Sequence, residues 1–109
     1  MKKLLLCLLM VPAMARAEFF TGNNLLALLK SNNSMDLVQG LGYVQGVFDS
    51  HVKVTICPPP NITAGQVSDM VRNYLDNNPA TRNYSADSLI SNALRQVWPC
   101  ANRTPGRGA

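Results

Sequence analysis

Cys57-Pro58-Pro59-Pro60 and, further along the chain, Trp98-Pro99-Cys100 mark the two ends of the stretch that decides the fold of this protein. Proline fixes its own backbone and disfavours helix at the residue before it, so both cysteines lie where a helix is interrupted. We predict that Cys57 and Cys100 form a disulfide that ties the start of one helix to the end of another. In the chain-entropy model, a crosslink across a loop of this length stabilises a fold by about 4 kcal/mol.

Residues 1–17 have the layout of a secretory signal peptide. A pair of lysines is followed by an apolar run from Leu4 to Val11 and by the small-x-small cleavage motif Ala15-Arg16-Ala17. The apolar run ends at a proline, well short of the roughly 20 residues that span a bilayer, so we do not expect a membrane anchor. We expect a mature protein that begins at Glu18 and resides in the periplasm.

Export changes the meaning of the charge and of the cysteines. The formal net charge of +4 includes three basic residues of the signal peptide, so the mature chain has seven basic and six acidic residues and a net charge of +1. A near-neutral protein lacks the positive surface that nucleic-acid binding requires. We expect Cys7 to be removed with the signal peptide, which would leave Cys57 and Cys100 in an oxidising compartment. Export therefore favours a disulfide over the alternative of two buried free thiols.

The mature chain has the size of one domain. Removal of residues 1–17 from the 109 leaves 92, which is enough for one modest hydrophobic core. We expect a helical domain over residues 18–100. Residues 101–109 are polar and rich in glycine and proline, and we expect them to form a flexible tail.

Hydrophobic spacing predicts an all-α domain of four helices. The first runs from Asn23 to Lys30, and the second from about Met35 to Val52 after a start signal at Ser34 or Asp36. One stripe of the second helix carries Leu37, Leu41, Val44 and Phe48.

Clear start and stop signals bound the third and fourth helices. Thr63 and Gln66 form a capping box for the third helix, which stops before Pro79. Ser85 precedes the fourth helix, which ends by Trp98 because proline follows. We expect Trp98 to lie in the core and to pack on the disulfide.

Three glycines interrupt the second helix at positions 40, 42 and 46. Each costs a helix about 0.5–1 kcal/mol relative to alanine, so their presence calls for a reason. Gly42 and Gly46 are four residues apart and share a face of the helix. We predict that Gly42 and Gly46, with the neighbouring Tyr43, form a close packing contact within the domain or across a dimer. A plain irregular helix is the alternative.

A search for catalytic chemistry finds little. His51 is the single histidine. Asp49 lies two residues earlier, and side chains two apart on a helix point in different directions, so the two do not form a pair. One histidine and two bridged cysteines do not supply a zinc site, and there is no glycine-rich phosphate loop. We expect no catalytic residue, metal or cofactor, and we interpret His51 as a surface or interface side chain.

A binding role remains. Arg82, Asn83 and Tyr84 lie between the third and fourth helices, inside the loop that the disulfide closes. Arginine and tyrosine are enriched in binding hot spots, so we predict that these three residues contact a partner. The alternative is that Tyr84 covers the core and that Arg82 is merely solvated.

The order of these motifs resembles the Rap/Tai family of immunity proteins. The resemblance rests on Phe20-Thr21-Gly22-Asn23-x-Leu25, Gly42-Tyr43-Val44-x-Gly46-Val47-x-Asp49, Cys57-Pro58, Thr63-Ala64-Gly65-Gln66, Tyr74-Leu75-x-x-Asn78-Pro79, Ala86, Ala93-Leu94 and Trp98-Pro99-Cys100. It implies a small, exported helical protein that binds and sterically inhibits a peptidoglycan amidase toxin delivered by a type VI secretion system. It also implies a homodimer, with no enzymatic activity of its own.

The chain departs from this family in one respect. Many members carry two further cysteines, one at the end of the first helix and one just before the Gly-Tyr of the second. Here those neighbourhoods read Leu28-Leu29-Lys30 and Gln39-Gly40-Leu41, and we expect apolar packing of residues such as Leu29 and Leu41 to replace the lost disulfide.

A functional alternative from another class is a periplasmic acid-stress chaperone of the Hde type, which is also small, helical and disulfide-linked.

Overall fold

The computed structural model of the protein describes residues 20–100, and within that range it confirms an all-α domain of four α-helices. The helices are α1 (Gly22–Leu29), α2 (Ser34–His51), α3 (Ala64–Asn77) and α4 (Ala86–Val97), and a short 3-10 helix, Pro79–Thr81, lies between α3 and α4. The predicted signal peptide and C-terminal tail lie outside the described residues. None of the described helices has the length and apolar character needed to cross a membrane.

Side-chain caps fix where the helices begin. The predicted capping box of α3 is present: the Thr63 hydroxyl accepts from the Gln66 N–H at 3.1 Å, and the Gln66 side chain accepts from the Thr63 N–H at 3.0 Å. The cap of α2 is Asn33 rather than Ser34 or Asp36. The Asn33 side-chain oxygen accepts from two backbone N–H groups of the first turn, which the neighbouring serine cannot do from inside the helix.

The four helices pack around one core, and each helix contacts the other three. The largest fully buried side chains are Leu25, Val44, Ile56, Val67, Val71, Leu75, Leu89, Ile90 and Leu94. Trp98 is half-buried and packs against this core. The prediction that Trp98 lies in the core is therefore confirmed only in part.

The predicted stripe of α2 is buried only over its C-terminal half. Val44 and Phe48 belong to the core, whereas Leu41 is 39% exposed. The reason is that Gly40 is the α2 residue that meets α1: a Cβ at Gly40 would lie 3.0 Å from Leu29 Cδ2. Leu41 lies about 100° further round the helix and faces a surface groove. Leu29 therefore packs between α1 and α2 as expected, but Leu41 does not join it in the core.

The Cys57–Cys100 disulfide closes the end of the domain where α2 and α4 finish. The two Cα atoms are 5.0 Å apart, and the Cys57 N–H donates to the Trp98 carbonyl at 2.8 Å. Ile56, the residue before Cys57, is fully buried and forms an isolated antiparallel bridge with Pro99. The crosslink thus joins two segments that are also paired through their backbones.

Candidate functional site

The predicted binding loop, residues 82–84, has a fixed backbone, and two of its three side chains are exposed. The Arg82 and Tyr84 carbonyls accept from the N–H groups of Asn23 and Gly22, at 2.9 and 3.0 Å. The loop approaches α1 so closely that a Cβ at Gly22 would lie 3.0 Å from the Arg82 carbonyl oxygen. The loop is therefore pre-formed, because its backbone is tied to α1.

The side chains of this loop do not cover the core. Tyr84 is 58% exposed, so it does not play the capping role that was the alternative. Asn83 is also exposed. Arg82 is half-buried, and its Nε atom is buried without a hydrogen-bond partner within residues 20–100. This nitrogen is thus neither solvated nor hydrogen-bonded within the described part of the chain.

Basic side chains surround Asp76 near this loop. Lys30 Nζ lies 2.7 Å from Asp76 Oδ1. This hydrogen bond, together with the positive charges of Lys30, Arg72 and Arg82, holds the pKa of Asp76 below its ordinary value. Two arginines thus lie close enough to Asp76 to influence it, in addition to the lysine that binds it.

The glycines of α2 divide into two kinds. Gly40 is buried against α1, whereas a Cβ at Gly42 or Gly46 would meet nothing within 4 Å. Packing within residues 20–100 therefore does not account for Gly42 and Gly46, and a contact with a second molecule remains a prediction. Tyr43 lies away from this open surface: its ring is 4.7 Å from that of Phe20, centroid to centroid.

An apolar surface follows the outer side of α2. Met35 is 77% exposed and Val38 is 66% exposed, and with Gly42 they occupy positions i, i+3 and i+7 of the helix. This spacing places the three residues on one side. We call Met35, Val38 and Gly42 the outer face of α2. The sequence predicted a contact at Gly42 but did not predict that Met35 and Val38 are exposed beside it. Their exposure depends on how α2 is rotated in the bundle.

A groove between α2 and α3 borders this outer face. It consists of two adjoining depressions of about 270 and 380 Å³. They share Leu41, Gly65 and Ser68. Gly65 borders open space here, because a Cβ at this position would meet only the Thr63 hydroxyl, at 3.9 Å. The exposed part of Leu41 is one wall of this groove.

His51 has neighbours that the sequence does not reveal. Its Nδ1 atom lies 3.2 Å from the Thr55 hydroxyl, and its Nε2 atom lies 3.8 Å from Asp87 Oδ1. Asp49 instead accepts a hydrogen bond from Gln45, at 2.9 Å. Burial raises the pKa of the nearby Tyr43 hydroxyl, and the negative charge of Asp87 adds to the rise.

Thr55, His51 and Asp87 bring together a hydroxyl, an imidazole and a carboxylate, as in a hydrolytic triad, but without the distances of one. A positioning carboxylate must hold the imidazole with a hydrogen bond, and 3.8 Å is too long for one. The side chain of Asp87 is also 62% exposed. Within residues 20–100, no group of three or more histidine, cysteine or acidic side chains is placed to hold a metal ion. The features that stand out in this range are surfaces suited to binding another protein.

Comparison with known proteins decides which kind of binding protein this is. A family model for Rap1a immunity proteins matches residues 21–100, which include all four helices and both disulfide cysteines. This chain belongs to the Rap1a immunity protein family. The resemblance seen in its ordered motifs is thereby confirmed. No curated protein matches the chain.

Membership of the Rap1a family assigns an immunity role and a toxin as the partner. In this Rap1a protein, three features are available for contact: the 82–84 loop, the outer face of α2, and the neighbouring groove. The backbone of the 82–84 loop and the helices themselves are held in place by hydrogen bonds and packing. A rigid surface of this kind suits an inhibitor, because little conformational entropy is lost on binding.

Proposed function

We propose that the mature protein is a periplasmic immunity protein that binds a peptidoglycan amidase toxin delivered by a type VI secretion system. The observation that carries this proposal is the Rap1a family match over residues 21–100. The amidase, the secretion system and the periplasm come from the resemblance of the sequence motifs and from the signal-peptide pattern of residues 1–17.

Inhibition is steric in this proposal, and the immunity protein performs no chemistry. It occupies the cleft of the amidase with a surface that is already folded before the two proteins meet. Arg82, Asn83 and Tyr84 form one contact: Tyr84 offers a broad exposed ring, and Arg82 offers a charge for a carboxylate of the toxin.

The protein also forms a homodimer in this proposal, through the outer face of α2. Large side chains at Met35 and Val38 would pack beside Gly42, where the absence of a Cβ lets a second helix come close. Gly46 extends the open surface by one turn. A Gly42→Leu substitution should block this close approach, which analytical ultracentrifugation would detect as a shift from dimer to monomer.

The test of the toxin is direct. Mature, oxidised protein (residues 18–109) is used as bait in secreted and envelope fractions, and bound proteins are identified by mass spectrometry and assayed for hydrolysis of cell wall. We expect an amidase whose activity falls in stoichiometric proportion to added immunity protein. Tyr84→Ala should weaken binding about fivefold or more without lowering the melting temperature, since Tyr84 is exposed.

Two results would contradict the proposal. One is capture of an amidase whose hydrolysis continues unchanged in the complex, which would exclude occlusion of the cleft. The other is capture of many unrelated proteins only after acidification, which is the behaviour of an acid-stress chaperone.

A further inference from the structure

The loop that follows α2, residues 52–56, holds an apolar side chain out from the surface on a rigid backbone. The N–H groups of Val54, Thr55 and Ile56 all donate to the His51 carbonyl, at 3.0, 3.0 and 3.1 Å. The Lys53 N–H donates to the Ile56 carbonyl at 2.7 Å. Ile56 is fully buried, so the loop is anchored in the core at one end.

The backbone of this loop is strained as well as rigid. Lys53 has a φ of 68°, in the left-handed region that residues with a Cβ rarely adopt. Such a conformation persists only where the surrounding structure imposes it. Here the constraint comes from the buried Ile56 on one side of the loop and from the disulfide at Cys57 directly after it.

Val54 lies at the tip of the loop and is 66% exposed. An open depression of about 360 Å³ adjoins it and is lined by Val54, Thr55, Arg95, Pro99 and Cys100. Lys53 and Arg95 are also exposed, and neither forms an ion pair within residues 20–100. Val54 thus follows one cation in the chain, Lys53, and shares a depression with another, Arg95, and neither cation has an acidic partner in the described part of the chain.

We propose that Val54 is a toxin-binding residue, which enters an apolar depression of the amidase whose rim carries carboxylates facing Lys53 and Arg95. This inference rests on the proposed function, because it takes the toxin as the protein that contacts the loop. An apolar centre surrounded by a polar rim is the usual composition of a protein–protein interface. The strained loop is fixed before binding, so little entropy is lost when the anchor is buried.

The chain offers a matched control for this inference. Val38, on the outer face of α2, is also a valine with 66% of its side chain exposed. We would compare Val54→Asp with Val38→Asp, using the amidase captured by the wild-type protein. Affinity per binding site is measured by titration calorimetry, self-association by analytical ultracentrifugation, and folding by thermal melting followed by circular dichroism.

Val54→Asp should weaken toxin binding at least about tenfold and leave self-association unchanged. Val38→Asp should weaken self-association and change the toxin affinity by less than about twofold. Val54→Ala, which introduces no charge into the loop, should weaken toxin binding about threefold and serves as the measurement if Val54→Asp lowers the melting temperature. Lys53→Gln removes the positive charge but keeps a Cβ at the strained position. It should reduce toxin affinity chiefly at low salt, because salt screens the attraction between exposed charges.

Each other outcome overturns the inference in a recognisable way. If the wild-type protein inhibits the amidase and Val54→Asp and Val54→Ala inhibit it equally well, the inference fails and the proposed function stands. If Val54→Asp loses self-association but keeps its toxin affinity, Val54 is a contact between copies of this chain. If the wild-type protein captures no amidase, the proposed function fails and this inference fails with it.

Discussion

Gly40 of α2 lies directly against Leu29 of α1, so closely that a Cβ at position 40 would be 3.0 Å from Leu29 Cδ2 and 3.1 Å from Leu28 Cβ. Leu29 was expected to pack between these helices together with Leu41, and Gly40 takes the place expected of Leu41. In this chain a glycine and a leucine join the two helices by packing alone. The stability of the α1–α2 pair therefore depends on a residue that has no side chain.

Gly40→Ala is expected to destabilise the protein relative to Gly42→Ala. A methyl group at Gly40 requires the Leu29 side chain to shift by a few tenths of an ångström, and overpacking costs about 1–3 kcal/mol, which offsets the gain in helix propensity from alanine. At Gly42 the methyl group meets nothing within the same protomer, so the higher helix propensity of alanine should raise the free energy of unfolding of a monomer by about 0.5–1 kcal/mol. Urea denaturation of both variants checks this, and equal midpoints would show that α1 moves aside without cost.

Loss of the disulfide should lower the free energy of unfolding by about 4 kcal/mol, because the crosslink spans 43 residues and restricts the unfolded chain. The measurement is urea unfolding of the oxidised protein and of the Cys57→Ser/Cys100→Ser double variant, followed by Trp98 fluorescence. Wild-type protein with reduced cysteines is the control, since it has lost the crosslink but keeps both sulfur atoms. A double variant as stable as the oxidised protein would show that the backbone pairing of Ile56 with Pro99 holds this end of the domain unaided.

Lys53→Gly should stabilise the protein by about 1 kcal/mol, because glycine adopts a positive φ without the clash that lysine suffers. Asn61 provides the comparison: its φ is 67°, but asparagine tolerates this region. Asn61→Gly should therefore change stability much less than Lys53→Gly does. The melting temperatures of the two variants and of the wild-type protein measure these changes in stability. A larger rise in melting temperature for Asn61→Gly than for Lys53→Gly would contradict the strain assigned to Lys53.

The Lys30–Asp76 pair should make a contribution to stability that depends on pH. The hydrogen bond and charge of Lys30 lower the pKa of Asp76 in the folded state relative to the unfolded chain. The contribution is therefore fully present above the unfolded-state pKa of about 4, and it is lost as the pH falls through the lower folded-state value. NMR titration of the Asp76 carboxyl carbon should show the lowered pKa, and Lys30→Met should raise it.

A control for this titration is Arg72→Met, which removes a weaker influence on Asp76. Its effect on the pKa of Asp76 should be smaller than that of Lys30→Met, because Arg72 acts through charge alone whereas Lys30 also donates a hydrogen bond. The reverse order would mean that the lysine contact is not maintained in solution.

Local signals in the sequence predicted much of the fold correctly. The capping residues Thr63 and Ser85 placed the starts of α3 and α4, because a cap is a contact between residues three apart and needs no tertiary information. Proline after Trp98 placed the end of α4 for the same reason. Local signals do not decide the start of α2, since Asn33, Ser34 and Asp36 are all suitable caps and only the path of the chain selects Asn33.

The surfaces were less predictable than the helices. Periodicity placed Leu41 in the core stripe, but the short helix α1 packs on Gly40 and leaves Leu41 at the edge of a groove. Composition pointed to Arg82 and Tyr84 but gave no reason to choose Val54. The exposure of Val54 follows from three backbone hydrogen bonds to one carbonyl and from a positive φ at Lys53.

By itself, the sequence determined the four helices, the disulfide between its two proline-flanked cysteines, and the family to which the chain belongs. These features depend on local propensity, on proline and on motif order, all of which can be read along the chain. Only the tertiary structure decided which face of α2 is buried, what lies beside His51, and which apolar side chains remain exposed. Those depend on the rotation and approach of helices that are far apart in sequence, and each is settled by packing contacts that no local pattern encodes.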